Sequence, residues 1–105
     1  MTGSTAELLR EADRVADRVQ VVAPRMAARS TADGARVLAD LREACARLAA
    51  LALDAEGVAR RPLPELAPHA VADQVLVLAH DLARSGDGAA IGAGLALLLD
   101  LKRRI

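Results

Sequence analysis

The sequence predicts an all-α fold, and the simplest architecture is a four-helix up-down bundle in a single domain spanning residues 1–105. Apolar residues recur at steps of three and four in four separate segments, which is the period of an amphipathic helix. Turn-forming glycine and proline cluster between the second and third segments and between the third and fourth. No apolar run alternates as a strand would, and no hairpin turn joins two such runs.

The first predicted helix begins at Ser4, which has capping-box spacing with Glu7, and it reaches about Arg29. Its heptad-like apolar stripe comprises Leu8, Ala12, Val15, Val19, Val22 and Met26. Pro24 falls inside the stripe and removes a backbone hydrogen bond. Because Met26 continues the pattern, we expect a kink at Pro24 rather than an end. The charged residues that we expect on the opposite, solvent face are Glu7, Arg10, Glu11, Asp13, Arg14, Asp17 and Arg18.

The second predicted helix is capped by Ser30 or Thr31, runs to about Glu56 and stops at Gly57. Its apolar side consists of Leu38, Leu41, Cys45, Leu48, Ala49, Ala52 and Leu53. The segment 57–64 that follows is the predicted linker, because its two prolines prevent helix and favour extended backbone.

The third predicted helix starts near Glu65 or just after Pro68 and ends at Arg84. Its apolar seam is formed by Val71, Val75, Leu78 and Leu82. A tight turn over residues 85–87 follows, with Asp87 as the predicted cap of a fourth helix that runs to residue 105.

The fourth predicted helix is apolar on every side from Gly88 to Leu99. Such a helix needs packing partners all round, which a monomeric four-helix bundle does not supply. Small residues recur every four positions, at Gly88, Gly92 and Ala96, and they allow close backbone approach. We therefore predict a homodimer whose interface contains Gly88, Ala89, Gly92, Ala93 and Ala96. The alternative is an irregular bundle in which this helix is central and covered by its own chain.

Composition disfavours several classes of function. The chain contains no aromatic residue and has a formal net charge of zero, so it lacks both base-stacking side chains and the basic surface needed to bind nucleic acid. The uncharged segment 88–99 is too short to span a bilayer. Residues 1–14 show neither a basic region nor a long apolar stretch, so we expect a cytoplasmic protein without membrane partners.

The reactive side chains do not form a recognisable catalytic or metal-binding set. His69 and His80 would lie about 16 Å apart along one helix, too far to share a metal ion. Cys45 is the single cysteine, on an apolar arc, and is most simply a small core residue. We predict no catalytic, metal-binding or cofactor-binding residues and no cofactor.

Arg42 is the one charge out of place, because it falls on the apolar side of the second helix. A guanidinium there needs a carboxylate partner, and the candidates are Asp100 and Glu56. Arg42 and Asp100 then form either an internal ion pair or a site for an anionic ligand.

These observations favour a non-enzymatic helical-bundle protein that acts through self-association and binding to another protein. The alternative is a small all-α enzyme or an anionic-ligand binder that uses Arg42 with a carboxylate partner.

Overall fold

The computed structural model describes residues 2–28 and 32–105, with side chains for residues 5–22, 32 and 34–105. The helices are α1 (Thr2–Ala28), α2 (Ala32–Glu56), α3 (Val71–Arg84) and α4 (Gly88–Arg104), with a 3₁₀ turn at Pro68–Ala70. This part of the chain contains no strand. The predicted all-α fold is therefore confirmed.

Helix α1 begins at Thr2 rather than Ser4 and continues past Pro24 to Ala28. The prediction that the helix continues past Pro24 is confirmed. The side chains of Ser4 and of the residues around Pro24 are outside those that the structure describes, and the predicted caps Ser30 and Thr31 lie outside the described residues altogether. The kink stays a prediction.

Gly57 closes α2 as the sequence predicts. It has a positive φ of 71°, a conformation that glycine adopts without strain. Its N–H donates to the carbonyl of Asp54 at 3.1 Å, and the N–H of Val58 donates to the carbonyl of Leu53 at 2.9 Å. These two bonds satisfy carbonyls that the end of the helix would otherwise leave free.

Of the two predicted starts of α3, near Glu65 and just after Pro68, the structure agrees with the second, because the α-helix begins at Val71 directly after a 3₁₀ turn. Pro68 opens the preceding 3₁₀ turn, and residues 58–67 have no regular secondary structure. The linker is longer than expected because its polar groups bond to neighbouring helices, as with the Leu66 carbonyl, which accepts from Arg42. Downstream the prediction is confirmed, since α4 is capped by Asp87, whose Oδ1 accepts from the Ala90 N–H at 3.1 Å.

The core forms between the two halves of the chain. Among the described residues, α1 and α2 each pack more extensively on α3 and α4 than on each other. Apart from Cys45, the largest fully buried side chains described are aliphatic: Leu8, Leu41, Leu48, Leu82, Leu98, Leu101, Val15, Val19, Val71 and Val75. All four predicted apolar stripes contribute to this one core.

Helices α2 and α3 lie side by side and run in the same direction. Arg42 in the first half of α2 and Gln74 near the start of α3 line one cavity, whereas Glu56 and Arg84, at the ends of these helices, line another. An up-down order would instead place the two helices antiparallel. The linker is long enough for this arrangement. Residues 58–67 can span about 30 Å when extended, which exceeds the length of the part of α2, from Glu56 back to Arg42, that they run beside.

Candidate functional site

The predicted interface residues lie together on the outer side of α4. Gly88, Ala89, Gly92, Ala93 and Ala96 are all exposed. No described atom outside the helix itself lies within 4 Å of where a Cβ would stand at Gly88 or Gly92. Leu99, on the same helix, is 39% exposed. The alternative of a fully covered helix is therefore wrong for this face of the described chain.

The inner side of α4 is packed through Ile91, Gly94, Leu98 and Leu101. Gly94 is the glycine that permits close approach within the chain, because a Cβ there would overlap a methyl group of Leu82 and touch Leu8 and Leu48. The sequence pattern predicts close helix approach at the glycines of this segment but does not single out Gly94 as the one packed within the chain. The available signal was spacing, since Gly94 falls on the helical period of Ile91 and Leu98.

A groove between α2 and α4 borders the exposed face of α4. It has a volume of about 600 Å³, and its lining comprises Arg47, Ala50, Leu51, Asp54, Arg60, Ala93, Ala96, Leu97 and Asp100. At its edge the Arg60 side chain donates to both carboxylate oxygens of Asp54, at 3.0 and 2.6 Å. The hydrogen bond from Arg60 lowers the pKa of Asp54 below its ordinary value. The groove thus has a floor of alanine and leucine and a charged rim.

Arg42 and Asp100, which the sequence paired, have different partners. Arg42 donates through one terminal nitrogen to Glu65 and through the other to the Leu66 carbonyl, at 2.9 Å for the latter. Asp100 pairs within its own helix, with Arg104 at 3.1 Å and Arg103 at 3.4 Å. Glu65 takes the place predicted for Asp100 or Glu56 because the linker passes over Arg42, which spacing along a helix could not indicate.

The third nitrogen of Arg42, Nε, is buried and has no hydrogen-bond acceptor among the described atoms. Its side chain is only 27% exposed overall, whereas that of Glu65 is 81% exposed. A buried donor without an acceptor is costly in a folded protein, so such atoms often mark a place where a water molecule or a ligand binds. Arg42 is therefore held by the linker but incompletely satisfied.

Glu11 is a second ionic centre that sequence reasoning missed. It was assigned to the solvent face of α1, yet it is 8% exposed. Its carboxylate accepts from Lys102 Nζ at 2.7 Å and from Arg14 at 2.5 Å. The hydrogen bond from Lys102 is the main cause of a pKa below the ordinary value for Glu11. Lys102 is far away in the sequence, so only the packing of α4 on α1 identifies the pair.

His69 lies in the 3₁₀ turn before α3 and not on the same helix as His80, contrary to the prediction. His69 and His80 are both exposed. Cys45 is buried in the core, and burial raises the pKa of its thiol to about 11, which disfavours the reactive thiolate. Within the described residues, no group of three or more histidine, cysteine or acidic side chains could hold a metal ion. No helix in the described ranges is both long and apolar enough to cross a membrane.

Comparison of the chain with protein-family models, with curated proteins and with solved structures finds no match.

Proposed function

We propose that this protein acts by self-association through the outer face of α4 and by binding another protein. The observation that carries the proposal is the exposure of five small residues on one side of a helix whose other side is packed into the core. Small residues let a second helix approach closely, so dispersion contacts can form along the whole face. The proposal makes this face the contact between two copies of the chain.

The groove beside that face supports the second part of the proposal, binding to another protein, because it is a concave surface that partner side chains can enter. Its alanine and leucine floor can receive aliphatic side chains, while Arg47 and Asp100 on its rim can form polar contacts. Leu99 is an exposed apolar side chain of α4 that a second copy would cover.

A binding role is favoured over catalysis by the placement of the titratable groups. Five of the nine described ion pairs lie along single helices, as in Arg84 with Asp81 and Arg36 with Asp40. Such pairs are ordinary surface patterning. They do not bring a nucleophile, a base and an orienting group to one place.

Sedimentation equilibrium at micromolar concentration tests the self-association. We expect a mass twice the 10.9 kDa of one chain. Ala93→Arg places a charged side chain on the proposed interface and should return the protein to a monomer. Ala39→Arg is the matched control, since Ala39 is exposed on α2 and should leave the mass unchanged. A clean 10.9 kDa species for the unsubstituted chain would refute the proposal.

A second candidate function, binding of an anionic ligand at Arg42, is favoured by one observation. Its Nε is a buried donor without an acceptor, beside a cavity. The anionic-ligand site lies between α2 and α3, whereas the proposed self-association uses the outer face of α4, so each can be tested without the other.

A further inference from the structure

The linker lies over the groove between α2 and α3, and one of its side chains divides that groove. Leu63 lines two cavities of about 200 Å³ each, one on either side of it. The first lies next to Arg42, and the second extends toward the ends of α2 and α3. Leu63 is half-buried against the core. The linker therefore fills the middle of the groove and leaves space at both sides.

The first cavity is lined mainly by aliphatic side chains, whereas the second combines aliphatic side chains with four charged ones, Glu56, Arg61, Asp81 and Arg84. Helix α2 contributes small side chains, Ala46 to the first cavity and Ala49 and Ala52 to the second. Helix α3 contributes Val71 and Leu78 to the opposite wall. If Leu63 turns aside, the joined space falls within the range of about 300–1,000 Å³ that is typical of small-molecule sites. An unbranched aliphatic chain is compatible with the first cavity and with the aliphatic side chains that the second cavity shares with it around Leu63.

The end of the channel at Arg42 is polar. The guanidinium has two nitrogens bonded to the linker, and its Nε has no acceptor. Gln74 lies nearby, and its Nε2 donates to the Pro64 carbonyl over a long 3.4 Å. This end therefore offers a donor, Arg42 Nε, for which the protein supplies no acceptor. A carboxylate matches the planar geometry of a guanidinium and is small enough to take the place of the Glu65 carboxylate.

We propose that the α2/α3 groove binds an aliphatic monocarboxylate. The ligand carboxylate replaces Glu65 on Arg42 and accepts from Nε, and its chain takes the space beside Leu63. Because Nε is buried, the linker has to move aside for entry. The linker is held at Arg42 by an ion pair with Glu65, whose side chain is exposed, and exposed ion pairs contribute little to stability. In this arrangement Glu65 acts as an internal competitor of the ligand, and the site does not require self-association.

Octanoate is a suitable probe, titrated into the full-length protein with methyl-labelled leucine and valine and followed by NMR. We expect saturable shifts at the methyl groups of Leu63, Leu66 and Val71. Acetate lacks the chain and octanol lacks the carboxylate, so each should bind at least about tenfold more weakly.

Three substitutions test the roles of the charged groups. Arg42→Gln should weaken octanoate binding about tenfold or more, because the charged donor is lost. Arg36→Gln, at an exposed arginine on the same helix that lines neither cavity, should leave the dissociation constant unchanged. Glu65→Gln should tighten binding several-fold, because the competing carboxylate is gone. A purely structural ion pair would not produce that gain.

The result that overturns the proposal is equal octanoate affinity for the unsubstituted and Arg42→Gln proteins, or methyl shifts that fail to saturate. If Arg42→Gln does not fold, Glu65→Gln decides, since unchanged or weaker binding there also refutes the site. The monomeric Ala93→Arg variant should still bind octanoate, so failure of the interface proposal and failure of the ligand site can be told apart.

Discussion

The two sides of α4 both contain glycine, but on one side the glycine is packed in the core and on the other it is exposed. Gly94 faces the core, where a single added methyl group would overlap Leu82. Gly92, two positions earlier, faces open space. Both glycines weaken the helix intrinsically by about 1 kcal/mol relative to alanine. The packing of the folded chain requires Gly94, whereas within one molecule nothing described requires Gly92.

The largest expected effect comes from Gly94→Ala. Leu82 is fully buried, so its methyl group has little room to move away, and overpacking should outweigh the gain in helix propensity. We expect a net loss of about 2 kcal/mol in the free energy of unfolding. Gly92→Ala is the matched control and should stabilise the isolated fold by about 0.5–1 kcal/mol. Urea denaturation followed by circular dichroism measures both, and equal effects would remove the distinction between the two sides.

A second prediction concerns Glu11, the buried carboxylate of α1 that pairs with Lys102 of α4. Glu11→Gln removes the charge that pairs with Lys102 near the end of the helix and should cost about 1 kcal/mol. The expected loss of stability is modest because the Lys102 side chain is 32% exposed, so solvent weakens the ion pair. Urea denaturation at neutral pH checks it, and an unchanged midpoint would show that the pair contributes nothing.

The same pair predicts a pH dependence. The pKa of Glu11 is lowered from the ordinary value of 4.5 in the folded state, so the folded protein holds its proton less tightly than the unfolded chain. The stabilisation is therefore complete above the ordinary pKa and is lost as the pH falls through the lowered one. Denaturation midpoints between neutral and acidic pH should show this slope, and Glu11→Gln should reduce it. Identical slopes for the two proteins would contradict the prediction.

The smallest effect is expected for the carboxylate on the outer side. Asp100 pairs with Arg103 and Arg104 at the surface, where its own side chain is 54% exposed. Asp100→Asn should therefore change the free energy of unfolding by less than about 0.5 kcal/mol. A loss of stability as large as that of Glu11→Gln would show that burial does not determine how much each of the two carboxylates contributes to stability.

The features that the sequence predicted well are those encoded by a few adjacent residues. Gly57 ends α2 and Asp87 caps α4 because each acts on backbone groups within a few positions. The apolar stripes predicted the core for the same reason, since helical periodicity assigns residues such as Val75 and Leu82 to one side. The exposed residues of α4 were also predictable from periodicity.

The ionic contacts could not be predicted in the same way. Arg42 was recognised as misplaced, but its carboxylate is supplied by a linker that returns along α2. Glu11 was read as a solvent-facing charge because its partner lies on α4, near the other end of the chain. A charged residue gives no indication of which distant segment will pack beside it.

The sequence alone determined the four helices, most of their ends and the apolar stripe of each, because these depend on interactions over one or two turns. Only the tertiary structure decided the direction of α3, the partner of Arg42, the burial of Glu11 and the close contact at Gly94. Those features depend on how the linker crosses α2 and how α4 lies against α1. Such long-range packing is set by the whole core and not by any local pattern of residues.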